Sequence, residues 1–350
     1  MSPSDAHSPT PGPSSMRQPG EPLPEDFVGF GGQVRRFWIA TRPQFLVASV
    51  MPVLVGSAWG ASQTGTFDPS MALLFLFAMV FGHAAGNLIN DVCDDLSGND
   101  QLNQERIFPF TGGSRVIQLG ILGRQAMTRY AAALLVACAA LGSVLVWLTD
   151  WILVAWGLGM GLLLLAYHLA PFKLNHRGLG EVTIGVMFGI APVTIAAWLQ
   201  GGAMDATAVL IATPVALWVA NILLINEVPD RRADAQVGKR TLVVILGVAN
   251  ALRLHMAVNL AALIAVTVAA AIGAVSPLVL LVLVPVTALG LAQVRRAYPR
   301  TQAAGSAEEA HPSAPTNRAR TLPAIQATLM IHTAGSLVLT LALAIDVLAS

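Results

Sequence analysis

Charge is scarce in this chain. Only 11% of its 350 residues are Asp, Glu, Lys or Arg, against roughly 25% in a soluble globular domain, so it lacks the polar surface to face water on all sides. Cysteine is scarcer still. Cys93 and Cys138 stand alone with no CxxC spacing, which excludes a zinc ribbon or a disulfide framework, and each reads as a free structural thiol. There is no basic excess either: the formal net charge is +1, and no nucleic-acid partner is expected. The beginning of the chain lacks the continuous apolar core of a secretory leader. Residues 1–34, rich at first in Pro, Ser and Gly, read as a disordered cytoplasmic tail.

What the chain does have is apolar sequence, 55% of all residues. Runs of roughly 20 such residues are long enough to cross a bilayer as helices. They fall at about 44–62, 71–92, 130–149, 151–169, 180–199, 207–226, 251–273, 277–293 and 328–348. This predicts an all-α integral membrane protein of about nine transmembrane helices, with the membrane domain at 35–350 and a flexible cytoplasmic loop at 301–321. Topology tests the count. With the N-terminus inside, all 20 Lys and Arg fall in the tail or in segments after spans two, four, six and eight. A miscounted span would scatter them over both sides, so the positive-inside bias supports nine spans and a cytoplasmic working face. The short outer connections hold only Asp68, Asp150 and Asp205 as charges.

Two acidic clusters stand out against this background. Span two ends in GNLINDVCDDLSGND, residues 86–100, and span six ends in INEVPDRRADAQVGKRTL, residues 225–242. Both contain N-x-x-x-D-x-x-x-D: Asn87, Asp91 and Asp95 in the first, Asn226, Asp230 and Asp234 in the second. On a continuing helix these positions lie along one stripe. Asn90, Asp94 and Asp100 add polar groups to the first cluster, and Glu227 adds one to the second. Carboxylates gathered near helix C-termini repel one another and the macrodipole, so the arrangement asks for a cation. Hard oxygen ligands suit Mg²⁺ or Ca²⁺, and Mg²⁺ typically combines one or two carboxylates with substrate phosphates. Acidic residues also end membrane helices simply because they meet water there. The matched copies, four spans apart on co-oriented helices, are what that explanation lacks; they suggest two related halves around a central cavity open to the cytoplasmic face.

Basic residues follow each cluster. Arg106 precedes FPFTGGSRV with Arg115, Lys173 and Arg177 lie in the middle loop, and Lys239 and Arg240 follow the second cluster. Such side chains neutralise phosphate charge, although the positive-inside bias also requires basic residues here. Arg115 and Lys239, beside glycines that permit close backbone approach, stand out from that requirement. Tyr167 and His168 close span four, Glu181 opens span five, and His83 lies within span two; buried polar groups in a membrane are candidates for function.

These stretches, together with WIATRPQFLVASVMPVLVG at 38–56 and YHLAPFKLNHRGLGEVTIG at 167–185, resemble the UbiA superfamily of membrane prenyltransferases over roughly residues 35–295. Within it, NDxxDxxxxGxD and GGSRV look most like the 1,4-dihydroxy-2-naphthoate prenyltransferases of menaquinone synthesis. The resemblance implies Mg²⁺-dependent transfer of a polyprenyl group from its diphosphate to an aromatic acceptor, in the cell (inner) membrane and in contact with lipid. It implies Asp91, Asp94, Asp95, Asp230 and Asp234 as catalytic metal ligands, with Asp94 and Asp95 as alternatives for one place. Asn87, Asn90, Arg106, Arg115, Tyr167, Lys173, Asn226 and Lys239 would bind substrate. Glu227 and Pro229 depart from the naphthoate pattern, which leaves other quinone precursors, phenols or lipid alcohols open as acceptors. A secondary transporter is the rival from another class, but it would concentrate ionisable groups at the midplane rather than at the ends of two spans.

Overall fold

The computed structural model describes residues 17–18, 20–297 and 318–349. Among these residues every regular element is helical. They are α1 (Gly29–Ala40), α2 (Val47–Thr64), α3 (Pro69–Ser97), α4 (Asn99–Leu102), α5 (Arg124–Leu148) and α6 (Ile152–His168), followed by α7 (Gly180–Gly185), α8 (Ala191–Leu199), α9 (Ala206–Gln236), α10 (Leu242–Ala271), α11 (Leu280–Ala297) and α12 (Arg318–Ala349). A π-helical turn, Val186–Ile190, joins α7 to α8 into one apolar rod. Eight helical stretches are long and apolar enough to cross a membrane, and α6 is a shorter apolar helix.

Several boundaries differ from the sequence expectation for one physical reason: a hydropathy window ends at the first charges, whereas a helix ends at its cap. α5 begins at Arg124, not near 130, where the chain leaves the extended backbone of Gly123 (φ −76°, ψ 154°), and the Arg124 guanidinium pairs with Asp95 at 2.6 Å. α10 begins at Leu242, capped by the Thr241 hydroxyl, and breaks at Gly247 (φ 74°, ψ 158°). α12 begins at Arg318, so residues 318–321 are helical and not loop; the rest of the expected 301–321 loop lies outside the described residues. The tail expectation is also corrected. Residues 1–16 lie outside the described residues, but Pro24–Phe27 forms a 3-10 turn, α1 follows, and Glu21 is buried against Arg106. A buried ion pair and Phe27 give this segment the anchorage that its composition conceals.

The two halves repeat one plan. α3 packs on α5 in the first and α9 on α10 in the second, while α2 meets α8 across the join. Both α3 and α9 start on an aspartate cap, Asp68 and Asp205. Close approach of α2 and α8 rests on Gly56 and Gly60: a Cβ there would come within 2.2 Å of the Val193 carbonyl oxygen and 2.1 Å of that of Ala197. Small residues four apart allow such backbone contact between helices in lipid. α12 then closes the ring against α2, α9 and α11, with Leu339 and Leu343 in the same core as Trp218 and Ile211. The outward faces stay apolar. Trp147 and Trp151, 82% and 78% exposed, flank the α5–α6 turn, where membrane proteins carry interfacial aromatics.

Candidate active site

A cavity of about 170 Å³ lies between the halves. One end is polar, lined by Asn87, Asn90 and Asp94 of α3, Asn226, Glu227, Asp230 and Asp234 of α9, and Lys239. The other end is apolar, with Ile184, Phe188, Val219, Ile222 and Leu223. α3 carries its acidic run into the cavity mouth because nothing breaks the helix before Gly98, whose φ of 77° ends it.

The segment after α3 ties the two clusters together. Asn99 Nδ2 donates to Asp234 Oδ1 at 2.8 Å, and Asn103 Nδ2 donates to Asp230 Oδ1 at 2.7 Å. The Gly112 amide donates to Asp230 Oδ2 at 3.1 Å, and the Ser114 amide to Asp91 Oδ2 at 3.0 Å, joined there by the Ser114 hydroxyl. This route needs the paired glycines. Gly112 and Gly113 have φ of 75° and 74°, and a Cβ on Gly113 would stand 2.9 Å from Asp91 Oδ1. Lys239 completes the stitching from the second half, with Nζ 3.3 Å from Asp94 and 3.5 Å from Asp234. Burial works against its charge, yet Asp234 and Asp94 outweigh that and hold the ammonium well above the usual lysine range.

The residues expected from sequence divide into two groups. Asn87, Asn90, Asp94, Tyr167, Asn226, Asp230, Asp234 and Lys239 all line the cavity. Asp91 sits just behind Gly113, with Oδ1 buried and without a hydrogen-bond partner. Asp95 turns away, held by Arg124, Gln101 and Gln118. At about 100° per residue, Asp95 lies about 80° round from Asn87, whereas Asn90 and Asp94 stay on its face. Arg106 is bound to Glu21 at 2.8 Å and does not line this cavity. Arg115 (φ 64°) is buried, donating to the Asp100 carbonyl and standing 3.6 Å from its carboxylate. Burial lowers the Arg115 guanidinium from its ordinary value and, with Asp94 and Asp91 adding to it, raises the Asp100 carboxyl well above its own. Lys173 is exposed and only begins the turn that brings Asn175 to the cavity.

A profile of the UbiA prenyltransferase family matches residues 49–309, which span both clusters and the loop between them. The chain belongs to the UbiA prenyltransferase family. It is 31% identical over 235 residues to the 1,4-dihydroxy-2-naphthoate octaprenyltransferase of Escherichia coli, covering 65% of this chain and 74% of that protein. Against the enzyme of the same name from Bacillus subtilis it is 29% identical over 250 residues, covering 70% and 76%. Its fold matches a UbiA homolog from Archaeoglobus fulgidus solved with GPP and Mg²⁺, at a TM-score of 0.59 and 15% identity over 87% of this chain and 99% of that one. The chain is thus a multi-pass membrane prenyltransferase, and the transporter reading is set aside.

The donor set of this prenyltransferase fits a hard divalent cation. Asp91 Oδ1, Asn99 Oδ1, Asn103 Oδ1 and Asn226 Oδ1 are buried oxygens without hydrogen-bond partners, the ligand chemistry that Mg²⁺ takes. Among the described residues no three His, Cys, Asp or Glu converge closely enough to hold an ion alone. Sequence reading missed Asn99, Asn103 and Ser114. A signal existed: Asn99 and Asn103 are four apart, the same interval as the Asp230 and Asp234 they serve. Arg42 was also missed as a cavity residue, since a lone arginine before a span reads as topology.

Proposed function

We propose that this enzyme transfers a polyprenyl group from its diphosphate to a hydroxylated aromatic acceptor in a Mg²⁺-dependent reaction on the cytoplasmic face of the cell membrane. 1,4-Dihydroxy-2-naphthoate is the first acceptor to test. The single observation that carries the reading is the joining of both acidic clusters through Lys239 at the mouth of a cavity whose far end is apolar. A diphosphate head and a prenyl chain need that division. The naphthoate prenyltransferases among the relatives supply the acceptor class, and the archaeal homolog carrying GPP and Mg²⁺ supports the ion.

Asp91, Asp94, Asp230 and Asp234 would hold Mg²⁺, which supplies positive charge to a diphosphate leaving group. Lys239 shares that charge, already oriented between the clusters. Asn99, Asn103 and Ser114 keep the carboxylates in place. Ile184, Phe188, Val219, Ile222 and Leu223 exclude water from the allylic cation left when the C1–O bond breaks. The acceptor carbon then bonds to C1 and loses a proton or carbon dioxide. With the basic residues on one side in the nine-span reading, the diphosphate enters from the cytoplasm.

The test uses purified protein in vesicles with labelled polyprenyl diphosphate, the naphthoate and Mg²⁺. Prenylated naphthoate is expected, chelation should abolish its formation, and restored Mg²⁺ should recover it. Product formation unaffected by chelator would remove the ion from the reading. No product with any acceptor would remove the reaction.

A further inference from the structure

Glu227 on α9 and Glu181 on α7 have no task in the diphosphate chemistry. Both are buried, at 8% and 5% exposure. Their carboxyl groups come within hydrogen-bonding reach of each other. Among the described residues no other side chain donates to either Glu181 oxygen or to Glu227 Oε2, and Glu181 has only its own backbone amide besides. Lys239, the nearby cation, is engaged by Asp94 and Asp234. Buried acceptors without donors are costly unless a ligand supplies the donor.

Position narrows the ligand. Glu227 lines the cavity and precedes Asp230 by three residues, roughly 4.5 Å deeper along the helix. Deeper still come Leu223, Ile222 and Val219. The pair therefore stands where the polar mouth gives way to the apolar end, beside Tyr167. With the diphosphate at the mouth and the chain in the apolar end, the reacting carbon lies at this level. A diphosphate oxygen would be repelled by the pair, and a hydrocarbon chain would leave its oxygens unserved. A hydroxyl on the second substrate serves them.

We propose that the Glu181–Glu227 pair seats the prenyl acceptor by receiving a hydrogen bond from its ring hydroxyl, so that the enzyme takes hydroxylated rings and presents their O–H, not a carboxylate, to this wall. Glu227 is the binding residue and Glu181 a positioning residue acting through it. The inference rests on the prenyl-transfer reading.

The experiment measures KM for acceptor and donor separately in the full-length protein in vesicles with Mg²⁺, comparing 1,4-dihydroxy-2-naphthoate with its two mono-O-methyl ethers. In the unmodified enzyme one methyl ether should lose about 10- to 100-fold in kcat/KM, the value of a hydrogen bond to a charged partner. Glu227→Ala should raise acceptor KM by a similar factor, leave donor KM within about threefold, and erase most of the discrimination against that ether. Glu181→Gln, whose amide still donates to Glu227, should keep acceptor KM within about threefold, whereas Glu181→Ala should raise it about tenfold. Titration with prenyl diphosphate checks that each variant is folded; if Glu227→Ala fails it, Glu227→Gln provides the comparison. An acceptor KM unmoved by the Glu227 change, or a donor KM that rises as much, overturns the assignment while leaving prenyl transfer intact. Absence of any product from the unmodified enzyme overturns prenyl transfer itself.

Discussion

The two acidic stripes share a spelling but not a use. On α9, Asp230 and Asp234 both face the cavity, and Asn99 and Asn103 from the other half hold them. On α3, the last motif residue, Asp95, faces Arg124, and its neighbour Asp94 meets Lys239 instead. The first stripe thus lines the cavity through Asn87, Asn90 and Asp94, at intervals of three and four, with Asp91 just behind Gly113, and the second through intervals of four. A duplicated motif therefore specifies which residue types are available, while the rotation of each helix selects among them. The spare carboxylate of the first stripe has become a structural tie to the start of α5.

The sharpest break in this comparison is between adjacent aspartates. Asp94→Ala, Asp230→Ala and Asp234→Ala should each cut prenyl transfer by at least about a hundredfold, as loss of a group facing developing charge does. Asp95→Ala should leave kcat within about threefold. Transfer assays on the four variants decide it, and a severe loss at Asp95 with a mild one at Asp94 would reverse the facing argued for α3. Next in size is Lys239→Gln, which removes the link between the stripes and should lower kcat/KM about a hundredfold. Its effect combined with Asp94→Asn should fall well short of additive, because the two residues share one contact.

A smaller effect is expected in the loop that serves both stripes. Gly113→Ala places a Cβ 2.9 Å from Asp91 Oδ1 at a φ of 74°, and should cost about 1–3 kcal/mol with roughly tenfold lower activity. Gly123→Ala, at a φ of −76° with open space around it, is the control. Thermal unfolding in detergent measures both, and equal shifts would mean the loop does not need its close approach. Smallest is Arg124→Ala. Its side chain is 52% exposed, so solvent weakens the pair with Asp95 and the loss should be about 1 kcal/mol or less. Transfer should be retained; loss of transfer without loss of Tm would give the Asp95 side of α3 a direct role.

Much of this was legible from the chain alone. The apolar runs, the placement of basic residues and the doubled motif led to an all-helical membrane protein with a polar site at the ends of two helices. Arg106 shows where such reading stops. In a basic loop it looks like a phosphate ligand, but its carboxylate partner, Glu21, is 85 residues away in a segment whose composition suggests disorder. Arg115 and Lys173 fail as cavity residues for a related reason: charge and a neighbouring glycine do not say which way a turn points. Lys239, with the same credentials, succeeds because its turn follows α9 directly and must fold back over Asp234, whose carbonyl accepts its amide at 2.8 Å.

By itself the sequence determined the solvent of this protein, the class of its fold and the kind of chemistry at its site. These depend on composition and on local periodicity, which neighbours in the chain decide. Only the tertiary structure turned Asp94 to the cavity and Asp95 to Arg124, gave Asn99, Asn103 and Ser114 their carboxylates, and brought Glu181 to Glu227. Each of those depends on helix rotation or on contact between distant segments, and packing of small residues such as Gly56, Gly60 and Gly113 fixes both.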